Sequence, residues 1–444
     1  MEFLTQILPN FFEVFKIAFY FVTRGGWVLF VIGLIYMLWR LYKVEIMIQH
    51  LKKQKWVFFQ IKVPKDNLAS TMGVDNVFSQ LHSLHVAKTF YEKFVEGQFF
   101  QLWYSFELIS LGGKVSFIIR LPERMRHNVE AAIYSQYPTA EIAEVADYME
   151  NLHYNPYDPG DLDIFGTEWK MDQDQVIPIK TYKDFEHPAA EEKILDPLSH
   201  IFESLAKIEP HEFFGIQILA MPLADEEWKP KAELKIKELT GQEIPHKLKF
   251  SDIFLAPFNW FAKFSYKEAI LSKPHRPEPE NRPRSNWLNM TEGEKQRVTL
   301  IENKINKPGY KTKIRFLYIA PKDKFDKSKV FMVVGAYRPF TAPFYNKIKP
   351  DVHRTWTHVD AYFSPSLEKP VIDWKLKWKK RFMFKGYKRR DWDIGIPMFI
   401  LNTEELATLY HFPITTETTS VIAAVERTES KKAQAPANLP IAED

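Results

Sequence analysis

The chain has 444 residues, enough for two or three domains, and its 45% hydrophobic and 26% charged residues are typical of a folded globular protein rather than a disordered one. The sequence contains no cysteine, which excludes disulfide bonds, cysteine-ligated zinc and thiol catalysis. The formal net charge is only +4, so the distribution of basic residues is more informative than their total.

The most apolar stretch runs from Gly25 to Tyr42 and contains thirteen uninterrupted apolar residues, Trp27 to Trp39. With its flanks it has 18 residues, about 27 Å as a helix, which is close to the thickness of a hydrocarbon core. The sequence therefore predicts a transmembrane helix over residues 25–43, and a buried core helix is the alternative. Amphipathic side chains near its ends are the predicted membrane anchors: Trp27, Trp39, Arg40 and Tyr42.

Basic residues predict the orientation of this helix. Only Lys16 and Arg24 closely precede it, whereas five follow it: Arg40, Lys43, Lys52, Lys53 and Lys55. The positive-inside rule then predicts a single-pass protein of the inner (cytoplasmic) membrane whose C-terminal body is cytoplasmic. The preceding residues, 1–24, are predicted to lie in the membrane interface or to lengthen the span.

Residues 52–150 carry the pattern of a ferredoxin-like domain. Strand-like and helix-like periodicities alternate in the order βαββαβ, with a Gly112-Gly113 turn between the second and third strands. The predicted strands are Trp56–Val63, Phe100–Ser110, Val115–Arg120 and Thr139–Val145, and the helices are Val74–Leu84 and Glu123–Tyr137.

A second, diverged copy of this pattern is predicted over residues 165–325, with an insertion at 223–290. Its predicted strands are Val176–Tyr182, Phe213–Met221 and Tyr310–Ile319, and its helices are Asp196–Ile208 and Thr291–Ile305. Duplication and shared patterning both remain open. The predicted fold class is α+β, with one N-terminal transmembrane helix followed by tandem ferredoxin-like domains.

The insertion and the C-terminal tail are less periodic. The aromatic segment Phe254–Phe264 could be a helix on anionic lipid or a flap over a sheet, and residues 272–286 are a proline-rich linker. Residues 326–425 form a C-terminal region in which Lys327–Tyr337 is a predicted helix, and 426–444 are a flexible tail.

The strongest electrostatic feature is the run Trp374–Arg390, which has nine Lys or Arg residues and five aromatic residues. Three interpretations stay open: nucleic-acid binding, anionic-lipid binding, and a solvated edge strand in which Lys375, Lys377 and Lys379 alternate with apolar residues. The predicted contact residues are Lys375, Lys377, Trp378, Lys379, Lys380, Arg381, Lys385, Lys388, Arg389 and Arg390.

Common catalytic and metal signatures do not occur. There is no GxxxxGK loop, no HExxH and no GxSxG. His82 and His85 have the spacing of a metal pair without a third ligand, and Asp161 to Asp172 match a calcium loop only in part, because Phe165 takes a ligand position. We therefore predict no catalytic, cofactor or metal site and no enzymatic activity.

Three segments carry a resemblance to a known family: Leu108–Tyr148, Ile301–Phe325 and Leu401–Pro413, the last reading LNTEELATLYHFP. With the apolar N-terminal stretch, they resemble the membrane-anchored N-terminal half of conjugative-transfer, type IV secretion-like coupling ATPases of the HerA/FtsK superfamily in candidate-phyla bacteria. This resemblance extends over nearly the whole chain. Where that family's P-loop domain would begin, this chain stops at Asp444, so no ATP-binding residue is carried over.

The resemblance implies a non-catalytic, membrane-anchored adaptor subunit of a type IV secretion-like or DNA-translocating envelope machine. Its implied partners are the lipid bilayer, a HerA/FtsK-like ATPase on another chain, DNA and further copies of itself. The implied docking residues are Glu404, Glu405, Tyr410 and His411. From the residues alone, the same motif is a capped helix with Thr403 as N-cap. The alternative function is a lipid- or nucleic-acid-binding protein at the membrane surface without a motor partner.

Overall fold

A computed structural model describes residues 22–64, 70–85, 88–98, 101–158, 160–185, 196–242, 290–361 and 365–413, together with Lys16 and Tyr20. The aromatic segment and linker predicted at 254–286, the tail at 426–444 and nearly all of the predicted interfacial segment lie outside these residues. The described residues divide into two units, which contain residues 1–56 with 86–102 and residues 57–85 with 103–444, respectively.

Helices and strands are interspersed along the described residues. The helices are α1 (Trp27–Lys53), α2 (Thr71–His82), α3 (Phe90–Phe94), α4 (Arg126–Gln136), α5 (Ser199–Ala206), α6 (Asp225–Leu239), α7 (Glu292–Ile305), α8 (Lys327–Ala336), α9 (Pro365–Arg389) and α10 (Thr403–Leu409). The strands are β1 (Trp56–Lys62), β2 (Tyr104–Leu111), β3 (Lys114–Pro122), β4 (Glu141–Val145), β5 (Leu162–Met171), β6 (Phe213–Leu223), β7 (Gly309–Pro321), β8 (Ile348–Pro350) and β9 (Phe399–Asn402).

The smaller unit consists of α1 and the segment around α3. The Trp39 ring stacks on Phe94 at 5.4 Å, and the Tyr42 hydroxyl donates a hydrogen bond to the Phe94 carbonyl oxygen at 3.2 Å. Gly97 has a φ of +73°, and a Cβ there would overlap the Ile46 carbonyl oxygen. The segment thus packs on the middle of α1. Residues 30–40 are exposed, which also contradicts the alternative of a buried core helix.

The predicted transmembrane helix is wrong. Among the described residues, no helix is long and apolar enough to cross a membrane. The uninterrupted apolar part of α1 would measure only about 20 Å, whereas a hydrocarbon core needs about 30 Å. Arg40, Lys43 and Glu45 follow this part within the helix, and Gly25, with a φ of +96°, breaks the helical backbone just before it. The prediction of a single-pass protein of the inner membrane is wrong for the same reason.

The nine strands found in the described ranges belong to one sheet, ordered β4-β1-β3-β2-β6-β7-β5-β8, with β9 paired to β7. When the four main strands of each half are numbered by their position in the chain, they lie in the order 4-1-3-2 from the outer edge of the sheet to its centre. The α+β sheet therefore consists of two βαββαβ units side by side. The halves are joined by β2 and β6, which pair antiparallel from Tyr104 opposite Ala220 to Leu111 opposite Phe213. The predicted tandem domains are therefore corrected to two halves of a single sheet.

The predicted strands Phe213–Met221 and Tyr310–Ile319 are confirmed as β6 and β7, and the predicted helices Asp196–Ile208 and Thr291–Ile305 as α5 and α7. The second half differs from the prediction at its two ends. Its first strand is β5, and its last helix and strand are α8 and β8. The predicted strand Val176–Tyr182 is wrong: this buried segment does not pair with another strand. Instead, the Ile179 N–H donates to Glu405 Oε1 and the Tyr182 N–H donates to Thr408 Oγ1, both at 2.9 Å. Side chains of α10 satisfy backbone groups that a sheet would otherwise satisfy.

The two faces of the sheet bury different helices. On one face, Phe106 and Phe117 pack against α2, α4 and α5, and the C-terminal residues Tyr410 and Phe412 fill the same core. The other face packs against the C-terminal half of α9. Because side chains alternate along β2, Glu107 points away from the Phe106 core and towards α9.

Candidate functional site

The basic-aromatic run folds as a helix. Residues Trp374–Arg389 lie in α9, so the interpretation as an edge strand is wrong. The run contains no Val, Ile or Thr and is rich in Lys, Arg, Leu and Met, which favour helices. The alternation of lysines at 375, 377 and 379 resembled a strand because the run contains so many basic residues that its apolar residues show no clear helical period of 3.6.

The C-terminal half of α9 is buried against the sheet. Met383, Phe384 and Tyr387 are its buried apolar residues. Gly386 allows a close approach, because a Cβ there would lie 2.7 Å from the Ile394 side chain and 3.3 Å from Arg315 Nη1. Arg315 donates a hydrogen bond to the Gly386 carbonyl oxygen. These contacts fix the position of the helix on the sheet.

Arg390 anchors the end of α9 through a buried charge network. Its guanidinium donates to Glu107 Oε1 at 2.9 Å and Oε2 at 3.1 Å, and to Asp147 Oδ2 at 2.6 Å and Oδ1 at 2.9 Å. Burial acts to lower the pKa of Arg390, but the charge of Glu107 together with the hydrogen bonds to Glu107 and Asp147 raises it. Burial likewise acts to raise the pKa of Glu107, and the charge of Arg390 together with the hydrogen bonds that Glu107 accepts lowers it below its usual value. The predicted contact residue Arg390 is therefore internal.

Three more of the predicted contact residues have internal partners. Lys379 Nζ donates to the carbonyl oxygens of residues 353, 356 and 358 at 3.1, 3.0 and 3.3 Å. Lys388 Nζ donates to those of residues 150 and 152 at 3.2 and 2.8 Å. Lys380 forms an ion pair with Asp163. These lysines tie α9 to loops of both halves and are engaged with groups of the chain itself.

The remaining residues of the run form an exposed surface, which we call the cationic stripe. It consists of Trp374, Lys375, Lys377, Trp378, Arg381, Lys385 and Arg389, all exposed. Trp374, Trp378, Arg381 and Lys385 recur at intervals of four, three and four residues, which places them on one helical face. Trp374 is 60% and Trp378 48% exposed. No acidic residue occurs between Asp373 and Asp391, so the stripe presents only positive charge.

The stripe has two parts along the helix. Residues 371–382 are all exposed or half-buried, and the two tryptophans lie here with Lys375 and Lys377 to either side. Trp378 stacks on Phe382 with ring centroids 4.9 Å apart and planes at 19°. Further along, Arg381, Lys385 and Arg389 continue the same face as cations. The stripe is thus aromatic near its start and purely cationic near its end.

The predicted docking residues of the LNTEELATLYHFP motif are mostly internal. Asn402, not Thr403, is the N-cap of α10, and it forms a capping box with Glu405. Glu405 is fully buried and pairs with Lys304 Nζ at 2.9 Å, whose side chain is also fully buried. Tyr410 is buried against Phe106. The burial of Glu405 and Tyr410 leaves them no surface for a partner in this structure.

Glu404 and His411 also bind within the chain. Glu404 pairs with Lys183 at 2.7 Å and Lys307 at 3.2 Å. Burial alone would raise the pKa of Glu404, but the hydrogen bonds from Lys183 and Thr181 outweigh it and lower the pKa. His411 is buried, with Nδ1 2.8 Å from the Ala407 carbonyl oxygen and Nε2 3.0 Å from an Asp196 carboxylate oxygen. The motif therefore fastens the C-terminal segment to both halves of the sheet.

The two weaker metal patterns also have structural explanations. His82 Nε2 lies 2.9 Å from the Leu223 carbonyl oxygen, and its ring stacks on His85. The partial calcium pattern falls largely on strand β5, where Asp163 pairs with Lys380 and Asp172 with Lys349. Within the described ranges, no group of His, Asp and Glu side chains could hold a metal ion.

Sequence reasoning missed the second buried charge network, which lies beside α9. Glu168 accepts from Arg315 Nη2 at 2.9 Å and lies 3.9 Å from Lys313 Nζ. The signal was available in β7, where Lys313 and Arg315 alternate with Ile314 and Phe316 inside an otherwise buried strand. A charged residue at such positions requires a buried partner, but one sequence does not reveal which one.

A comparison with protein families identifies the larger group to which the chain belongs. The model of a domain of unknown function, DUF8128, matches residues 43–424. The chain is a member of the DUF8128 family. The DUF8128 match includes the cationic stripe and the LNTEELATLYHFP motif. No curated protein matches the chain.

Proposed function

We propose that this DUF8128 protein is a non-catalytic binding protein that docks on an anionic lipid surface through the cationic stripe of α9. The observation that carries the proposal is the exposure of Trp374 and Trp378 between lysines on a helix that is fixed at its other end. Large aromatic side chains are costly to leave in water, and a stripe of exposed aromatic and basic residues commonly marks an interaction site.

The arrangement of the stripe favours lipid over nucleic acid. Tryptophan rings favour the level of lipid headgroups, and Lys375 and Lys377 lie on either side of Trp374, where their chains can extend to headgroup phosphates. Stacking on bases needs free ring faces, but one face of Trp378 is already covered by Phe382.

The anchoring of α9 suits a rigid docking surface. Arg390, Lys388, Lys380 and Lys379 all bind groups elsewhere in the larger unit, so the helix does not have to fold on binding. A preformed helix avoids the entropic cost of ordering at the surface. The stripe can therefore bind lipid as it stands.

The adaptor role for a HerA/FtsK-like ATPase stays a prediction that rests on the resemblance alone. The burial of Glu405, Tyr410 and His411 moves any such docking surface away from these side chains. If an ATPase is captured with this chain from cells, the exposed surface that contacts it has to be mapped by crosslinking rather than by the motif.

Co-sedimentation of the full chain with vesicles tests the proposed function. We expect binding to phosphatidylcholine vesicles containing phosphatidylglycerol, with affinity that falls as salt rises. Each basic residue near an anionic surface contributes about 1 kcal/mol. Replacing Lys375, Lys377, Arg381 and Lys385 by Gln should therefore weaken binding by roughly 100-fold to 1000-fold.

Matched variants separate the contribution of the stripe from that of general basicity. Lys231→Gln with Lys235→Gln removes two lysines from α6 and should leave vesicle binding unchanged. Trp374→Ala with Trp378→Ala should weaken binding to the anionic vesicles. The proposal is contradicted if the four-residue variant binds these vesicles like the native chain. Tighter binding to single-stranded DNA than to vesicles at equal ionic strength would favour nucleic acid instead.

A further inference from the structure

A second surface feature lies in the other half of the sheet, in the groove between α5 and α8. The groove has a volume of about 390 Å³, and its lining includes His200, Glu203, Lys207, Met332, Gly335 and Arg338. This size is within the range of sites that bind small molecules. None of these residues belongs to the cationic stripe.

Gly335 is a glycine that the fold does not require. It lies in the last turn of α8, and its φ is not in the left-handed region. A Cβ at this position would meet no other atom within 4 Å. A glycine inside a helix destabilises the helix relative to alanine. The only structural effect of Gly335 that we find is to keep the groove open.

The groove combines an apolar floor with uncompensated positive charge. Met332, Ala336 and Pro339 supply apolar surface. The side chains of Arg338 and His200 are exposed and form no hydrogen bond or ion pair with any residue that the structure describes, whereas Lys207 Nζ is 3.4 Å from a Glu203 carboxylate oxygen. The groove thus presents two basic side chains without a counter-ion beside a surface that favours an apolar group.

We propose that this groove binds a small amphiphilic anion, a carboxylate attached to a short aliphatic or aromatic body. The carboxylate would pair with the Arg338 guanidinium, which matches it with two parallel N–H donors. The apolar body would lie over Gly335 and against Met332 and Pro339. Charge complementarity decides the sign of the ligand, and the volume limits its size.

Saturation-transfer difference NMR with the full chain tests this site, using 4-phenylbutyrate as the probe and its uncharged amide as the matched ligand. We expect the carboxylate to bind at least about tenfold more tightly than the amide, because a hydrogen bond to a charged group contributes about 1.5–3 kcal/mol. Arg338→Gln should remove this preference. Glu203→Gln should strengthen carboxylate binding, because it removes the only negative charge among the lining residues.

Gly335→Leu supplies the steric test. Leucine is a better helix former than glycine, so α8 should stay folded and the melting temperature should not fall, while the added side chain fills the groove and abolishes probe binding. Lys295→Gln, on α7, is the control and should bind the probe like the native chain. Equal binding of acid and amide, or unchanged binding in both Gly335→Leu and Arg338→Gln, would overturn the proposal.

Discussion

The buried ion pair between Lys304 and Glu405 gives the sharpest test of the structural role of the LNTEELATLYHFP motif. Both side chains are fully buried, and Lys304 Nζ also donates to the carbonyl oxygens of Gln175 and Ile400 at 2.7 and 2.9 Å. Lys304→Met would leave the Glu405 carboxylate buried without its counter-ion. Removing one partner of such a pair typically costs about 3–5 kcal/mol.

The loss would be a large part of the total stability, since domains unfold at a cost of about 5–15 kcal/mol. The Glu405 carboxylate keeps the backbone N–H groups of Ile179 and Asn402 as donors, each at 2.9 Å, so the lower part of the range is expected. Glu405→Gln in the Lys304→Met background should restore part of the stability, because it removes the uncompensated charge.

Urea unfolding followed by tryptophan fluorescence measures all four members of this double-mutant cycle. The expected coupling free energy between the two sites exceeds about 1 kcal/mol. A loss below about 1 kcal/mol for Lys304→Met, with additive effects in the double variant, would refute a structural role for the pair. Glu405 would then have to be accessible, as the docking interpretation requires.

Three further predictions follow from single positions. Gly395 has a φ of +108°, and a Cβ there would overlap the Glu168 carboxylate, so Gly395→Ala should destabilise the protein by at least about 2 kcal/mol in the urea assay. Gly335→Ala, whose Cβ would meet no other atom, should instead stabilise the protein by about 0.5–1 kcal/mol in the same assay. Burial lowers the pKa of Lys313 from 10.5 to about 8, partly offset by Glu168, so its contribution to stability is fully present above pH 10.5 and lost as the pH falls through about 8. The melting temperature of the native chain should accordingly rise relative to Lys313→Met between pH 8 and 10.5, and parallel curves would contradict this pKa. Trp374→Ala with Trp378→Ala should change the free energy of unfolding by less than about 0.5 kcal/mol, because both rings are exposed, and a larger loss would show that they pack against the fold.

The first half of the sheet could be predicted because its signals are local. The Gly112-Gly113 turn joins β2 to β3 as expected, and both glycines have the positive φ that the turn requires. Helix α2 follows its apolar spacing, with Val74, Val77 and Leu81 buried on one face. Each of these elements is specified by its own residues.

The second half could not be predicted in the same way because its elements depend on distant partners. Strand β5 was missed because Asp163 and Glu168 interrupt its apolar residues, and their charges are compensated only by Lys380, Lys313 and Arg315. The segment 176–182 reads as a strand, but its backbone binds α10 more than 220 residues later. Side chains far along the chain therefore override the local pattern.

The candidate site was located by composition, but composition did not separate its exposed residues from those that bind within the chain. All seven exposed residues of the stripe lie in the run that the sequence singled out, yet Arg390, also a predicted contact, is buried in an ion pair. The difference is the helical period, which places Trp374 with Lys385 on the outer face and Arg390 on the inner one. With the period of two residues that a strand has, Trp374 and Arg390 would lie on the same face.

The packing of Tyr410 and Phe412 into the first half also determines when, during synthesis, the core of this half can be completed. The Phe412 ring lies 5.0 Å from Phe117 and 5.1 Å from Tyr137, so this core is complete only when the last described residues have been made. At about 5–20 residues per second, a ribosome needs roughly 15–50 s to travel from β4 to Phe412. During this time the aromatic surface of a finished first half stays open to water, and the nascent chain is a natural client for chaperones that bind exposed apolar segments.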